Sequence, residues 1–246
     1  MDEEAIRQSA HQAAEMGQRL AEPQPLPPGR YTLLLSPRAV WDLGLTFRLL
    51  LSGQRGNQGA SCLAYMEGKR IASKKLDLTS DATVPKGIMS FKCDAEGVPS
   101  QLIKVIESGV LRSYFHTSYS AGKQGKVSNG CARRQSYRSP VFSGIGNLQY
   151  RLGSEDLSEM VRQIQTGIYL TSMPKPDPMT GKINAPLKRA FRISDGQLGA
   201  AIERAVIVES FLDMLTRIDA VSKDFEYMSG FVLPHILISD VQVVSY

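Results

Sequence analysis

Residues 3–20 carry good helix formers, with Ile6, Ala10, Ala13, Gly17 and Leu20 recurring on one face at alternating steps of four and three. The pattern predicts a leading helix with a thin apolar stripe. Glu22-Pro-Gln-Pro-Leu-Pro-Pro-Gly29 cannot continue it and reads as a stiff extended connector. The expected division is therefore 1–24, the leading helix and the start of the proline linker, and 25–246, a single domain whose main body begins near Arg30. Tyr31 to Leu35 is an apolar strand, and Ser36-Pro37 pairs a helix N-cap with proline at the first helical position. The helix so launched runs to about Leu51 and is apolar nearly all round, which predicts burial. Ser52 to Gly59 is rich in glycine, asparagine and glutamine and reads as a surface turn.

From Leu63 to Leu152 the signals are strand-like. Gln101 to Ile106 and Val110 to His116 flank the hairpin turn Glu107-Ser108-Gly109. Ser154-Glu155-Asp156 opens a second helix, with Leu157, Met160, Val161 and Ile164 on one face and Gly167 as its stop. The prolines of Met173 to Gly181 exclude helix and central strand, leaving an ordered surface loop or a mobile flap. Strands at Phe191 to Ile193 and Ala205 to Val208, a short helix near Phe211 to Ile218 and a final strand from Ile236 to Val244 complete the pattern. The fold class is α+β, predominantly antiparallel β-sheet with a few helices, and no internal repeat is evident.

Composition narrows the function. With 246 residues, 42% hydrophobic and 22% charged, the chain can bury a sizeable core. Three cysteines, Cys62, Cys93 and Cys131, form no CxxC pair, so neither a disulfide framework nor a zinc ribbon is expected, and a reducing cytoplasm fits best. The most apolar segment, Leu43 to Leu51, is short and broken by Arg48, which argues against a signal peptide or a membrane span. The net charge of +5 suits an acidic partner, yet the cations are scattered in ones and twos without the stripe that phosphate tracking needs, so nucleic acid is not the expected ligand.

Candidate chemistry is sparse. His11, His116 and His235 make no HExxH or HxxxH, and His11 with Glu15 on the first helix reads as an exposed pair. Cys93 or Cys131 with His116 is a conceivable thiolate–imidazole pair with no local support. Gly144-Ile-Gly146 and Gly125 to Gly130 lack the context of phosphate cradles and read as turns. Asp94 and Glu96, followed by Gly97-Val-Pro99, read as turn chemistry in preference to an acid–base pair. No catalytic residue and no metal ligand is assigned.

Taken in order, these segments resemble the TldD/TldE (PmbA) metallopeptidase family. Gly87-Ile-Met-Ser-Phe-Lys-Cys-Asp94-Ala-Glu96-Gly97-Val98-Pro99 and the hairpin after it are similar to that family's D-x-E-G segment and its [ND]-G-[IV]-L turn. Tyr114 to Gly125 resembles its Y-[ST]-A-R-K-x-G run, and Ser128-Asn129-Gly130-Cys-Ala-Arg133-Arg134 its S-T-G-N-A-R-R run. Leu157 to Tyr169, Ala220 to Asp224 and Pro234 to Ile238 match later segments. The resemblance covers roughly residues 25 to 246 and implies the carboxy-terminal domain of the family.

Two departures bear on the role. The TldD half carries HExxxH on the helix after the first strand and a cysteine near the carboxy terminus. Here Trp41 to Arg48 contains no histidine, and Phe225 to Pro234 no cysteine. That pattern resembles the TldE half, so the resemblance implies no cofactor in this chain, zinc in an HExxxH-bearing TldD-like partner, and a hetero-oligomer acting on unfolded or small modified peptides. The large amino-terminal domain usual in the family is represented here only by the helix and connector, which favours a specialised role such as natural-product biosynthesis. Arg133 and Arg134 are the candidate ligands for a substrate carboxylate. The competing expectations are a binding or scaffold protein without peptidase partner and a nucleic-acid-associated modulator.

Overall fold

The computed structural model describes residues 3–20 and 22–245. Helix α1 (Glu3–Leu20) is followed by the two-residue strand β1 (Gln24–Pro25) and then β2 (Gly29–Leu35). The side chains of Ile6, Ala13 and Glu15 lie outside the described residues; Ala10, Gly17 and Leu20 of the predicted stripe are exposed. The proline segment is tied to the domain: β1 pairs in parallel with a later strand through Gln24↔Ile202 and Pro25↔Glu203, and Leu26 is buried.

Helix α2 (Pro37–Leu50) starts as the sequence predicts, with the Ser36 hydroxyl accepting from the Ala39 amide at 3.3 Å and proline in the first turn. It is buried along Val40, Leu43, Phe47 and Leu50, whereas Leu49 is 40% exposed. The segment expected as a turn forms a short helix, α3 (Gly53–Asn57). Strands β3 (Leu78–Asp81), β4 (Leu102–Glu107) and β5 (Val110–Leu111) follow, then α4 (Ser118–Gly122), the ribbon β6 (Ala132–Arg133) with β7 (Phe142–Ser143), and β8 (Asn147–Tyr150). The β4–β5 turn is the predicted one, with Ser108 and Gly109 both at positive φ. The strand expected to reach His116 stops at Leu111.

Helix α5 (Leu157–Arg162) opens on a capping box in which Asp156 accepts from the Glu159 amide and Glu159 accepts from that of Asp156. It ends before Gly167, which sits inside β9 (Thr166–Leu170) because the strand needs a residue without a side chain there: a Cβ would lie 2.7 Å from the Thr32 carbonyl oxygen. The remaining elements are β10 (Lys182–Pro186), β11 (Ala190–Ser194), β12 (Gln197–Glu203), β13 (Ala205–Ser210), α6 (Phe211–Thr216), β14 (Ile218–Met228) and the long β15 (Phe231–Ser245).

The sheet runs β1-β12-β11-β9-β2-β15-β8-β3-β4-β5, with β14 and β13 also on β15 and β10 on β13. Pairing is antiparallel except at β1–β12, β2–β9 and β15–β8, as the expected α+β class requires. Its central strands are covered on both faces. Leu33 and Leu35 of β2 and Ile236 and Ile238 of β15 join the main core, while the intervening Leu34 and Leu237 meet Met160 of α5 and Ile164 just after it. This is why Leu33-Leu34-Leu35 is uniformly apolar instead of alternating. Each such leucine contributes roughly 1.5–3 kcal/mol through burial. On the main-core face α2 crosses β15, with Trp41 and Phe231 at 4.4 Å between ring centroids and a Cβ at Gly44 only 3.0 Å from the Phe231 ring.

Candidate functional site

The last turn of α2 and one side of α3 form one wall of a cleft of about 530 Å³; the β6–β7 ribbon and its connecting loop form the other. Arg48 and Leu49 come from α2, Gln54 and Arg55 from α3, Gln58 and Ala60 from the segment after it, and Gln135, Phe142 and Ser143 from the ribbon. Ser52 bridges the walls, its hydroxyl donating to that of Ser143 at 3.3 Å.

Close packing sets α3. The Gly53 amide donates to the Phe115 carbonyl at 2.8 Å, and a Cβ at Gly53 would stand 2.4 Å from His116 Nδ1, so only glycine lets the helix approach. Asn57 Nδ2 donates to the Ser120 carbonyl at 2.7 Å, fastening α3 to α4. Beneath them Tyr114, fully buried, donates its hydroxyl to the Leu63 carbonyl at 2.6 Å and accepts from the Met66 amide at 3.0 Å. Tyr114→Phe strands both groups and is expected to lower unfolding free energy by roughly 1–3 kcal/mol, read as a fall in the urea midpoint at unchanged slope.

The ribbon is held by Asp94. One of its buried carboxylate oxygens accepts from the amides of Glu96 and Val98, both at 2.9 Å, and the other from Ala132 at 3.0 Å. Glu96 is exposed and accepts from the Ser118 amide at 2.7 Å. The two carboxylates serve a turn and a helix start, as the turn reading holds. Gly144 and Gly146, expected as turn residues, answer a different need: a Cβ would meet Arg133 Cγ at 2.2 Å and the Ala82 amide at 2.6 Å.

The two predicted arginines have separate surroundings. Arg133 pairs with Phe142 across the ribbon, stacks its guanidinium 4.4 Å over the Phe91 ring and donates Nη1 to the Ala132 carbonyl at 2.9 Å. Its Nε and Nη2 are buried without a hydrogen-bond partner, and burial lowers its pKa from the ordinary arginine value. Arg134 is exposed and donates to the Ser139 carbonyl at 2.7 Å. The thiol of Cys131 faces the backbone carbonyl of His116 at 3.3 Å, and burial pushes its pKa up to about 12, so the pair lacks a thiolate at neutral pH. Cys93 is exposed. Arg48, Arg55 and the three glutamines escaped sequence reasoning, since Arg48 interrupts an apolar helix and Arg55 falls in a presumed turn.

Among the described residues no three His, Cys, Asp or Glu side chains gather where they could hold a metal ion. Helix α2 contributes a single carboxylate, Asp42, which accepts from the Met173 amide at 3.2 Å and the Ser172 hydroxyl at 3.3 Å. No described helix is long and apolar enough to cross a membrane.

The sequence motifs that this sheet carries are those of a domain found in metallopeptidases. The chain belongs to the PmbA/TldA metallopeptidase C-terminal domain family, whose match spans residues 28–245. It is 27% identical over 229 residues to a metalloprotease of Methanocaldococcus jannaschii, covering 90% of this chain and 50% of that protein. With a metalloprotease of Methanothermobacter thermautotrophicus it shares 28% identity over 240 residues, 94% of this chain and 51% of the other. The chain thus spans about half the length of the curated relatives it matches. The fold is also that of TldE from Thermococcus kodakarensis, at a TM-score of 0.83 and 24% identity over 96% of this chain and 55% of that one. A protein of Bacteroides thetaiotaomicron described as a putative modulator of DNA gyrase superposes with a TM-score of 0.83 at 22% identity, over 96% of this chain and 52% of that one.

Proposed function

We propose that this chain is the zinc-free, TldE-like member of a two-subunit metallopeptidase, paired with a TldD-like subunit that bears HExxxH. The observation that carries the reading is the composition of α2: the helix after the first long strand offers neither histidine nor glutamate, and no metal-binding set gathers elsewhere among the described residues. The residues present do not fit a zinc ion. The partner supplies that ion and the activation of water or carbonyl that goes with it.

This chain's part is to close the chamber and hold the peptide. The cleft between α2, α3 and the ribbon presents donors and the exposed side chains of Leu49 and Phe142 to a substrate or a facing subunit. Arg133, whose Nε and Nη2 are buried without a hydrogen-bond partner, has a guanidinium edge that takes a substrate carboxylate bidentately once a movement of the ribbon uncovers it; the exposed Arg134 has no part in the same clamp. The substrates are unfolded or small modified peptides, including precursors in natural-product biosynthesis.

Purified alone, the chain is expected to carry no stoichiometric zinc and to cleave no peptide. Co-purified with an HExxxH-bearing relative, it is expected to form a one-to-one complex with both. Peptide turnover by the isolated chain overturns the proposal.

A further inference from the structure

We propose that the cleft between α2, α3 and β7 is a carboxylate-binding site, in which Arg48 and Arg55 take the acidic group of a peptide. The choice of a peptide rests on the peptidase reading above; the choice of a carboxylate rests on the cleft itself. Two guanidinium side chains line one cavity, and the cavity has no Asp or Glu among its lining residues. Four arginines elsewhere on the surface meet acids, Arg30 with Asp240, Arg112 with Glu107, Arg151 with Asp77 and Arg217 with Glu209, and others that have no acid among the described residues, such as Arg70, Arg134 and Arg162, are held by backbone carbonyls at 2.7–3.1 Å. Among the described residues neither Arg48 nor Arg55 has such a partner, and the one hydrogen bond made by the Arg55 side chain is a long one, 3.4 Å to the Ala60 carbonyl.

Two like charges in one cavity raise each other's electrostatic energy, and an anion between them removes that cost. The rest of the polar lining suits the same ligand, since the amides of Gln54, Gln58 and Gln135 donate hydrogen bonds without adding charge. Leu49 and Phe142 supply apolar contact for the stem that carries the carboxylate. Arg48 sits in the last turn of α2, where a cation is favoured by the helix carbonyls. Arg55 likewise falls in the last turn of the five-residue α3, so helix ends favour each cation singly and leave unexplained why two separate elements bring them to one cavity. A nucleic-acid strand is the less suitable occupant, because Phe142 is the single aromatic residue in the lining and successive bases require a series of stacking faces.

The test is calorimetric titration of the full chain, without any zinc partner, using acetylated tetra-alanine with a free carboxylate, its C-terminal amide, the amidated peptide with one aspartate, and a short single-stranded oligonucleotide. The free acid is expected to bind, with amidation weakening it about ten-fold or more and Arg48→Gln and Arg55→Gln each doing the same. Binding of the aspartyl amide at the strength of the free acid shows that a side-chain carboxylate serves as well as the chain terminus; its failure identifies the terminus as the ligand. Thermal unfolding of each variant at the wild-type midpoint ties the loss to the site. The proposal is overturned if no peptide binds, if acid and amide bind alike, if the arginine variants bind as wild type, or if the oligonucleotide binds more tightly than the peptides in an Arg48- and Arg55-dependent way. Since no partner is present, a negative result leaves the subunit reading standing, and zinc on this chain would sink that reading without touching this one.

Discussion

Asp94→Ala is expected to destabilise the domain by on the order of 3–5 kcal/mol, the largest loss predicted for any single substitution outside the hydrophobic core. Its carboxylate satisfies three backbone amides, two in the turn that ends at Val98 and one at Ala132 in β6. Hydrogen bonds to a charged acceptor contribute about 1.5–3 kcal/mol each, and removing them strands the buried Ala132 amide together with the partly shielded ones of Glu96 and Val98. The sum is less than additive because the 94–98 turn can open to solvent. Asp94→Asn keeps the oxygen for Glu96 and Val98 but sets an amide NH2 against the Ala132 N–H, so it is expected to fall between alanine and wild type. Glu96→Ala removes one exposed bond to Ser118 and is expected to cost about 1 kcal/mol. Urea denaturation of the three variants ranks them. An Asp94→Ala protein within 1 kcal/mol of wild type would mean that β6, and Arg133 with it, is positioned by something else.

Acidification is the second large effect. His235, buried on β15 against the Tyr169 ring, has its pKa lowered to about 4 by burial, with Asp224 opposing weakly. Its unfolded value is near 6.5. Between those limits the unfolded chain binds a proton that the native chain refuses, so stability falls as pH drops from about 6.5 to about 4 and is level below. The shift corresponds to roughly 3 kcal/mol, most of it lost by about pH 4.5. Burial lowers the His116 pKa as well, which acts in the same direction. His235→Gln has no titrating group there. The loss of stability between pH 7.5 and 4.5 is expected to be smaller in the variant than in wild type by roughly 2–3 kcal/mol. Equal losses in the two proteins would place the titration elsewhere.

Much of the architecture could be read from local chemistry. Ser36-Pro37 fixed the start of α2, Glu107-Ser108-Gly109 the hairpin, and the spacing of Leu157, Met160 and Val161 the apolar face of α5. Other strands were hidden for physical reasons. β10 carries Pro186, β12 is built from small residues such as Gly199 and Ala200, and β14 exposes Lys223 to Glu226 along a strand paired on one side only. Their strand character comes from pairing partners distant in sequence, which propensity does not record. The long stretches around Leu63 and Asp94 are likewise ordered by single side chains, Tyr114 and Asp94, reaching backbone groups far along the chain.

The candidate site divides the same way. The absence of histidine from α2 is a property of sequence, and the order of motifs carried the family. The cleft is a property of the fold alone, because Arg48 and Arg55 meet Gln135 and Phe142 only when the ribbon folds back over α3. Arg133 and Arg134, adjacent in sequence, are given unlike surroundings by the same ribbon.

The central claim is that zinc in the active assembly belongs to the partner and not to this chain. Native mass spectrometry of the one-to-one complex, with gas-phase dissociation of its subunits, measures which polypeptide carries the ion. The zinc mass is expected to leave with the HExxxH-bearing subunit, with this chain appearing at its bare mass; zinc retained on this chain would contradict the proposed division of roles.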